Sequence, residues 1–215
     1  MKIHLRNKLL IYRISVSVLC LASLCYILFI EPVNSLSTLN FIKNLTQFSV
    51  LSFLFVLYIF IKLTLTQIAK KPTWAPKSEL RGAGLVYSLL SSLLFVVFLR
   101  KQLDISGFQV IVFYFVHIAF SVFLMIDNIL TVTHSLYKYD LLLYWMIFPL
   151  YYLILLVVEN YCFDYNRYHF LAINDQNINF YPIAIILVAC MFFALAFMVI
   201  FMNRTKIEIE KIDEI

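Results

Sequence analysis

Residues 113–130 of the chain read FYFVHIAFSVFLMIDNIL, and this stretch decides the fold class. Most of its side chains are apolar or aromatic, and about 20 such residues in a helix cross the hydrocarbon core of a bilayer. Two ionisable residues interrupt it, His117 and Asp127. An ionisable group inside a span costs about 2.5–3.5 kcal/mol on insertion scales, so it is usually kept for a function or a pairing. The stretch therefore predicts a membrane helix with a polar side toward the protein interior.

The composition extends this prediction to the whole chain. Of its 215 residues, 63% are hydrophobic and only 13% are charged, whereas about a quarter of the residues in a soluble globular domain are charged. This excludes a soluble enzyme and a disordered chain. The net charge of +5 is interpreted as a sign of membrane orientation, and no nucleic-acid partner is predicted.

Six apolar stretches are each long enough to span a bilayer, at residues 9–30, 39–63, 83–99, 108–132, 141–158 and 181–202. The first is longer than the apolar core of a signal peptide, so it is predicted to be a retained helix. The strict alternation of a barrel strand is missing, which favours helices. The connections are short, and consecutive helices are expected to pack antiparallel in one bundle.

Basic residues indicate the direction of the spans. Most lysines and arginines fall on the side of the two chain termini, whereas the opposite side holds Lys43, Arg100, Lys101 and Arg167. Because basic loops stay in the cytoplasm, both termini, including a short tail over 203–215, are predicted to be cytoplasmic. The sequence thus predicts an all-α, multi-pass protein of the cell membrane, with one six-helix domain over residues 1–215.

The four cysteines do not indicate a metal site. Cys20, Cys25, Cys162 and Cys190 lack the spacing of a metal cluster or a disulfide framework. Three of them lie in apolar runs, where a reduced cysteine packs as a small hydrophobic residue. No metal, cofactor or disulfide is predicted.

The fourth span carries the first candidate site residues. His117 is roughly ten residues, or about 15 Å, from the outer end of the span, near the bilayer midplane. Tyr114, His117, Ser121 and Asn128 share one helical face, and Asp127 lies about 80° around the helix from His117. His117 is interpreted either as a catalytic base or as an imidazole that bonds neighbouring helices together. Asp127, near the inner end, is expected to pair with a basic group or accept hydrogen bonds.

The second span begins with a polar cluster. Residues 39–53 read LNFIKNLTQFSVLSF and contain Asn44, Thr46, Gln47 and Ser49. A threonine hydroxyl beside a neutral imidazole is the minimum set for a nucleophile with its general base. The alternative is that Thr46 and Ser49 bond carbonyl groups of their own helix. The spacing leaves both interpretations open.

Five short motifs occur in order along the spans: LTQFSV, LRGAGLVYSLL, the pair His117 and Asp127, YWMIFPLYY, and FYPIAII. In this order the chain resembles the androgen-induced protein family of six-span intramembrane threonine hydrolases and its bacterial six-helix relatives. Two positions depart from the family pattern. Ser121 stands where the bacterial relatives commonly have proline, and Val50 stands where an asparagine is expected.

The resemblance implies a specific chemistry without a cofactor. Thr46 would be the nucleophile and His117 the general base for hydrolysis of a lipid ester, such as an ester of a fatty acid with a hydroxy fatty acid. Supporting or substrate-binding roles would fall to Asn44, Gln47, Ser49, Tyr114 and Asp127, with the first three as candidates for stabilising the oxyanion and Tyr114 for orienting His117. The implied partner is a membrane lipid or another fatty-acyl ester.

Two other functions are compatible with the sequence. A non-catalytic scaffold or inactive relative would satisfy both His117 and Asp127 with neighbouring groups and have no cavity beside them. A small transporter would place a continuous polar path from His117 to Asp127 and on to the cytoplasm. A hydrolase would place His117 within reach of Thr46 beside a pocket open to the outer leaflet.

Overall fold

The computed structural model describes residues 2–27, 47–100, 107–131, 136–163 and 181–213, and the regular secondary structure within these ranges is helical. Six helical segments are long and apolar enough to cross a membrane. Helices are expected because an apolar segment in lipid has to satisfy every backbone N–H and C=O group internally. The prediction of an all-α protein with six membrane-length helices is confirmed.

The six spans, numbered in chain order, have the helical bounds Lys2–Cys25; Phe48–Ala69; Ser78–Leu94 with a π-helical continuation Phe95–Leu99; Phe108–Tyr114, π-helical Phe115–Ala119 and Phe120–Leu130; Leu141–Phe163; and Tyr181–Asp213. The third span begins at Ser78, earlier than the predicted residue 83. The sixth helix continues through the predicted tail, because no proline or glycine follows Pro182 to end it.

The third span lies at the centre of the bundle, where it packs against the second, fourth and sixth spans. The first span packs on the second, and the fifth packs on the sixth. Fully buried aromatic rings fill the interior, and those of Phe53 and Phe120 meet edge to face with their centroids 5.1 Å apart. This arrangement surrounds the buried half of the fourth span with side chains from three neighbours.

A close approach between the third and fifth spans positions the fifth span. A Cβ atom on Gly82 would lie 2.7 Å from the Trp145 ring. The Tyr87 hydroxyl donates a hydrogen bond of 2.9 Å to the Trp145 carbonyl. That carbonyl lacks its usual helical donor because residue 149, four positions later, is proline and has no N–H. The third span therefore supplies the hydrogen bond that Pro149 removes from the fifth.

Three charged side chains from three spans meet in the interior. Asp127 of the fourth span is 0% exposed. Its Oδ1 atom lies 2.8 Å from Nε of Arg13, and its Oδ2 atom lies 2.9 Å from Nη2 of Arg81. Gln67 accepts a further hydrogen bond from Arg13 at 3.1 Å, and Thr131 accepts one from Arg81 at 2.5 Å. We call Arg13, Asp127 and Arg81 the ion cluster; it joins the first, third and fourth spans.

The segment before the fifth span closes the same end of the bundle. The backbone N–H of Tyr137 donates to Oδ1 of Asn203 at 2.8 Å, and its hydroxyl donates to the Ser78 carbonyl at 2.6 Å. Burial raises the pKa of Tyr137 to about 12, so the hydroxyl keeps its proton for this bond. Tyr137 thereby links the third span to the sixth.

Replacing Gly82 by alanine is expected to destabilise the protein by about 1–3 kcal/mol, because the rigid Trp145 ring has to move to admit a methyl group. Gly84 is the matched control, since a Cβ there would meet Cδ1 of Ile59, the mobile end of a flexible side chain, at 2.5 Å. Thermal unfolding of both variants in detergent measures the difference. A Gly82→Ala midpoint at or above that of Gly84→Ala would contradict the close contact with Trp145.

Replacing Asp127 by asparagine is expected to cost about 3–5 kcal/mol, because it leaves two buried guanidinium groups without a counter-charge. A triple variant, Arg13→Met with Arg81→Met and Asp127→Leu, removes all three charges and is expected to lose less stability than the single variant. Thermal unfolding in detergent compares the two. If the single variant proves the more stable, the ion cluster does not stabilise the fold through charge pairing.

Candidate active site

A cavity of about 130 Å³ lies among the second to sixth spans. Most of its wall is apolar, with Leu90, Pro149 and Phe192 among the lining residues. Its polar side chains come from four different spans, and they are Ser49, Ser91, His117 and Tyr152. We call this space the central cavity. Its shape and lining suit an apolar ligand that carries one polar group.

His117 is held in the cavity wall by two aromatic rings. Its imidazole stacks on Phe95 with centroids 4.3 Å apart and an interplanar angle of 3°, and on Phe113 at 5.8 Å. The residue is 5% exposed, and its Nδ1 atom has no hydrogen-bond partner among the described residues. Buried imidazole nitrogens usually have a hydrogen-bond partner, so an unpaired one in a residue of the cavity wall marks His117 as a candidate for contact with a ligand.

The backbone around His117 is π-helical rather than α-helical. Phe120 donates its N–H to the carbonyl of Phe115, five residues earlier. The Ser92 hydroxyl of the third span donates to the His117 carbonyl. It also lies 2.7 Å from the hydroxyl of Ser121. Single π-helical turns within α-helices are frequent at functional sites, and this one contains the candidate base.

A second, smaller cavity of about 30 Å³ adjoins His117. Gln47 and Val50 contribute to its wall, and Ser49 and His117 line both this cavity and the central one. Gln47 follows Thr46 directly in the chain. The structure thus brings the beginning of the second span to the histidine of the fourth.

Phe48 fixes the start of the second span against the fifth. Its N–H donates to the Tyr152 hydroxyl at 2.9 Å, which satisfies one of the backbone donors left open at a helix N-terminus. The Phe48 ring stacks on Phe148 at 5.4 Å and meets the Tyr152 ring edge to face at 5.2 Å. These contacts place Ser49 in the wall of both cavities.

The predicted site residues do not all lie together. Gln47, Ser49 and His117 lie together at the cavities. Asp127 belongs to the ion cluster, and the Tyr114 ring packs edge to face on Phe95 at 5.5 Å. In the part of the chain that the structure describes, Phe95 and Phe113 rather than Tyr114 orient the imidazole. Asn44 and Thr46 lie outside the described residues.

Sequence reasoning missed the residues that the third and fifth spans contribute. Ser91, Ser92 and Tyr152 are all within or next to the site. The available signal was the run LLSSLL, in which two serines interrupt an apolar span as His117 does in the fourth. Serines of this kind commonly bond their own helix, so the run alone does not separate a structural role from a functional one.

The chain matches no protein-family model, no curated protein and no solved structure.

Replacing Ser92 by alanine is expected to destabilise the protein by about 1–3 kcal/mol, because the buried His117 carbonyl loses the donor that Ser92 provides. Thr205→Ala is the control, since that exposed hydroxyl bonds only a carbonyl of its own helix at 3.0 Å. Thermal unfolding in detergent measures both. Equal midpoints for the two variants would show that the Ser92 bond adds nothing to the stability of the π-helical turn.

Proposed function

We propose that the protein is an intramembrane hydrolase of lipid esters, with Thr46 as nucleophile and His117 as general base. One observation carries the proposal: a buried imidazole whose Nδ1 atom has no partner among the described residues lines a mostly apolar cavity. A buried polar atom without a partner is costly, so it is retained where chemistry or a ligand requires it. The resemblance to six-span threonine hydrolases supplies the nucleophile.

The scaffold interpretation is less well supported by these contacts. It expects both ionisable residues of the fourth span to be satisfied and no space beside them. Asp127 meets that expectation through its two arginines. His117 does not meet it, because its Nδ1 atom lacks a partner among the described residues and two cavities adjoin its ring.

The transporter interpretation needs a polar path between His117 and Asp127. The side chains of Phe120 and Leu124, which come between them on the fourth span, are both 0% exposed within the packed core. Asp127 itself is paired on both carboxylate oxygens. The buried apolar side chains and the fully paired carboxylate of Asp127 interrupt a polar path beyond His117. They favour a local site at His117 over a transport path.

The proposed reaction proceeds in two steps through an acyl-enzyme. The Thr46 hydroxyl attacks the ester carbonyl carbon while His117 takes the hydroxyl proton, and the carbonyl electron pair moves to oxygen. The tetrahedral intermediate then expels the alkoxide, which receives the proton from His117 and leaves as an alcohol. Water attacks the acyl-threonine in the same way, releasing the fatty acid and restoring both residues.

The site's position leads to a proposal for orientation. Gln47 and Ser49 are near the start of the second span, on the side with few basic residues, and both line a cavity with His117. With both termini in the cytoplasm of a cell-membrane protein, this side faces the outer leaflet. Candidates for stabilising the oxyanion on this side are Asn44, Gln47 and Ser49.

Treatment of the purified protein with a fluorophosphonate probe tests the proposal. We expect the wild type to be labelled, Thr46→Ala to take no label, and His117→Ala to be labelled at least about 100-fold more slowly, because general bases contribute about 10²–10⁴-fold. Thr66→Ala is the matched control, because that threonine bonds the Lys62 carbonyl at the other end of the same span. It should be labelled as the wild type is.

The folding of each variant is checked by its thermal unfolding midpoint in the same detergent. Two outcomes contradict the proposal: a folded wild type that neither takes label nor hydrolyses a long-chain ester, or a Thr46→Ala variant that is labelled at the wild-type rate.

A further inference from the structure

Ser91 of the third span has a buried hydroxyl without a hydrogen-bond partner among the described residues. The residue is 3% exposed, and it lines the central cavity together with His117. A hydroxyl group that is buried and unpaired costs about 1–3 kcal/mol relative to a paired one. Two polar groups from neighbouring spans thus border the same apolar space, and neither is satisfied by the described part of the protein.

The other serines near Ser91 show that partners are within reach on this helix. Ser88 donates to the Leu85 carbonyl at 2.9 Å, and Ser92 bonds the Ser88 carbonyl at 3.0 Å as well as the His117 carbonyl. Back-bonding of this kind is the usual state of a serine in a membrane helix. Ser91 differs from both neighbours, since its hydroxyl has no such bond and its residue lines the cavity.

We propose that Ser91 donates a hydrogen bond to the carbonyl oxygen of the acyl group bound in the central cavity. The inference rests on the proposed function and adds a catalytic residue to it. A change of the Ser91 χ1 rotamer can turn its buried hydroxyl toward an acceptor inside the cavity that the residue lines. The surrounding wall is mostly apolar, and a hydrogen bond to developing negative charge is strongest where water is excluded.

This arrangement defines the polar part of the ligand. Ser91 offers a neutral donor and His117 an imidazole, and the rest of the central cavity is mostly apolar. Such a pair fits one uncharged carbonyl group attached to a hydrocarbon chain. As Thr46 attacks, negative charge develops on the carbonyl oxygen. Ser91 donates a hydrogen bond to this oxygen from the third span, in addition to the candidate donors of the second span, Gln47 and Ser49.

The test compares two variants that remove the same kind of group. Ser52 is 0% exposed, its hydroxyl also has no partner among the described residues, and it is not part of the central cavity wall. Ser91→Ala and Ser52→Ala should both leave the thermal unfolding midpoint unchanged or higher, because each removes an unpaired buried hydroxyl. Ser91→Ala alone is expected to lower kcat for a long-chain ester by about 100-fold, with a smaller change in KM.

A Ser91→Ala variant with the kcat of the wild type overturns the inference. So does a Ser91→Ala variant whose loss of activity is matched by a lower unfolding midpoint, because the hydroxyl would then stabilise the fold. If Ser91→Ala is slow while Thr46→Ala and His117→Ala are inactive, the proposed function and the inference both hold. If only Thr46→Ala and His117→Ala are impaired, the proposed function holds and the inference about Ser91 is wrong.

Binding of a long-chain dialkyl ketone tests Ser91 without turnover. The control ligand is the alkane in which a methylene replaces the carbonyl group. The wild type should bind the ketone more tightly than the alkane, and Ser91→Ala should show a clearly smaller preference for the ketone, as measured by ligand-induced thermal stabilisation. A Ser91→Ala variant whose preference equals that of the wild type, or a wild type that shows no preference, overturns the inference. If the preference for the ketone depends on Ser91 but the protein has no esterase activity, the proposed reaction is wrong. The site that binds a carbonyl group through Ser91 is then still supported.

Discussion

The shared carboxylate of Asp127 is the contact on which the placement of the fourth span depends. A fully buried aspartate would be very costly alone, and Arg13 and Arg81 make it tolerable by pairing with both of its oxygens. Since the two arginines come from the first and third spans, the ion pairs hold three helices together. The Tyr12 hydroxyl adds a bond of 2.6 Å to the Phe123 carbonyl. These contacts therefore set the depth and rotation of the fourth span, and with them the position of His117.

One end of the fourth span and its middle are built on opposite principles. Around Asp127, each carboxylate oxygen has a cationic partner, which favours one rigid arrangement. Around His117, the ring is fixed by stacking on Phe95, and its Nδ1 atom lacks a partner among the described residues. Stacking restricts the plane of an imidazole without using its nitrogens. A rigid, paired end thus supports a middle section where a polar atom has no partner among the described residues, as expected where stability is given up for function.

The sequence was sufficient for the coarse fold because length and hydropathy determine a membrane helix. It also identified His117 and Asp127 as interior residues, since a charge facing lipid is costly. It could not predict the π-helical turns at Phe95–Leu99 and Phe115–Ala119, because helical-wheel arguments assume 3.6 residues per turn. It also missed Ser91, whose role differs from that of Ser88 and Ser92 through the cavity beside it rather than through its spacing.

Ser121 lies just after the π-helical turn that contains His117, and its hydroxyl contacts that of Ser92. A proline at this position would lack an N–H and so leave the carbonyl four residues earlier without its helical donor. That carbonyl belongs to His117. In this chain the same carbonyl accepts a hydrogen bond from Ser92, whose hydroxyl also contacts Ser121, within a π-helical turn. The hydrogen bonding of the His117 carbonyl thus depends on a side chain of the third span as well as on its own helix, directly beside the candidate base.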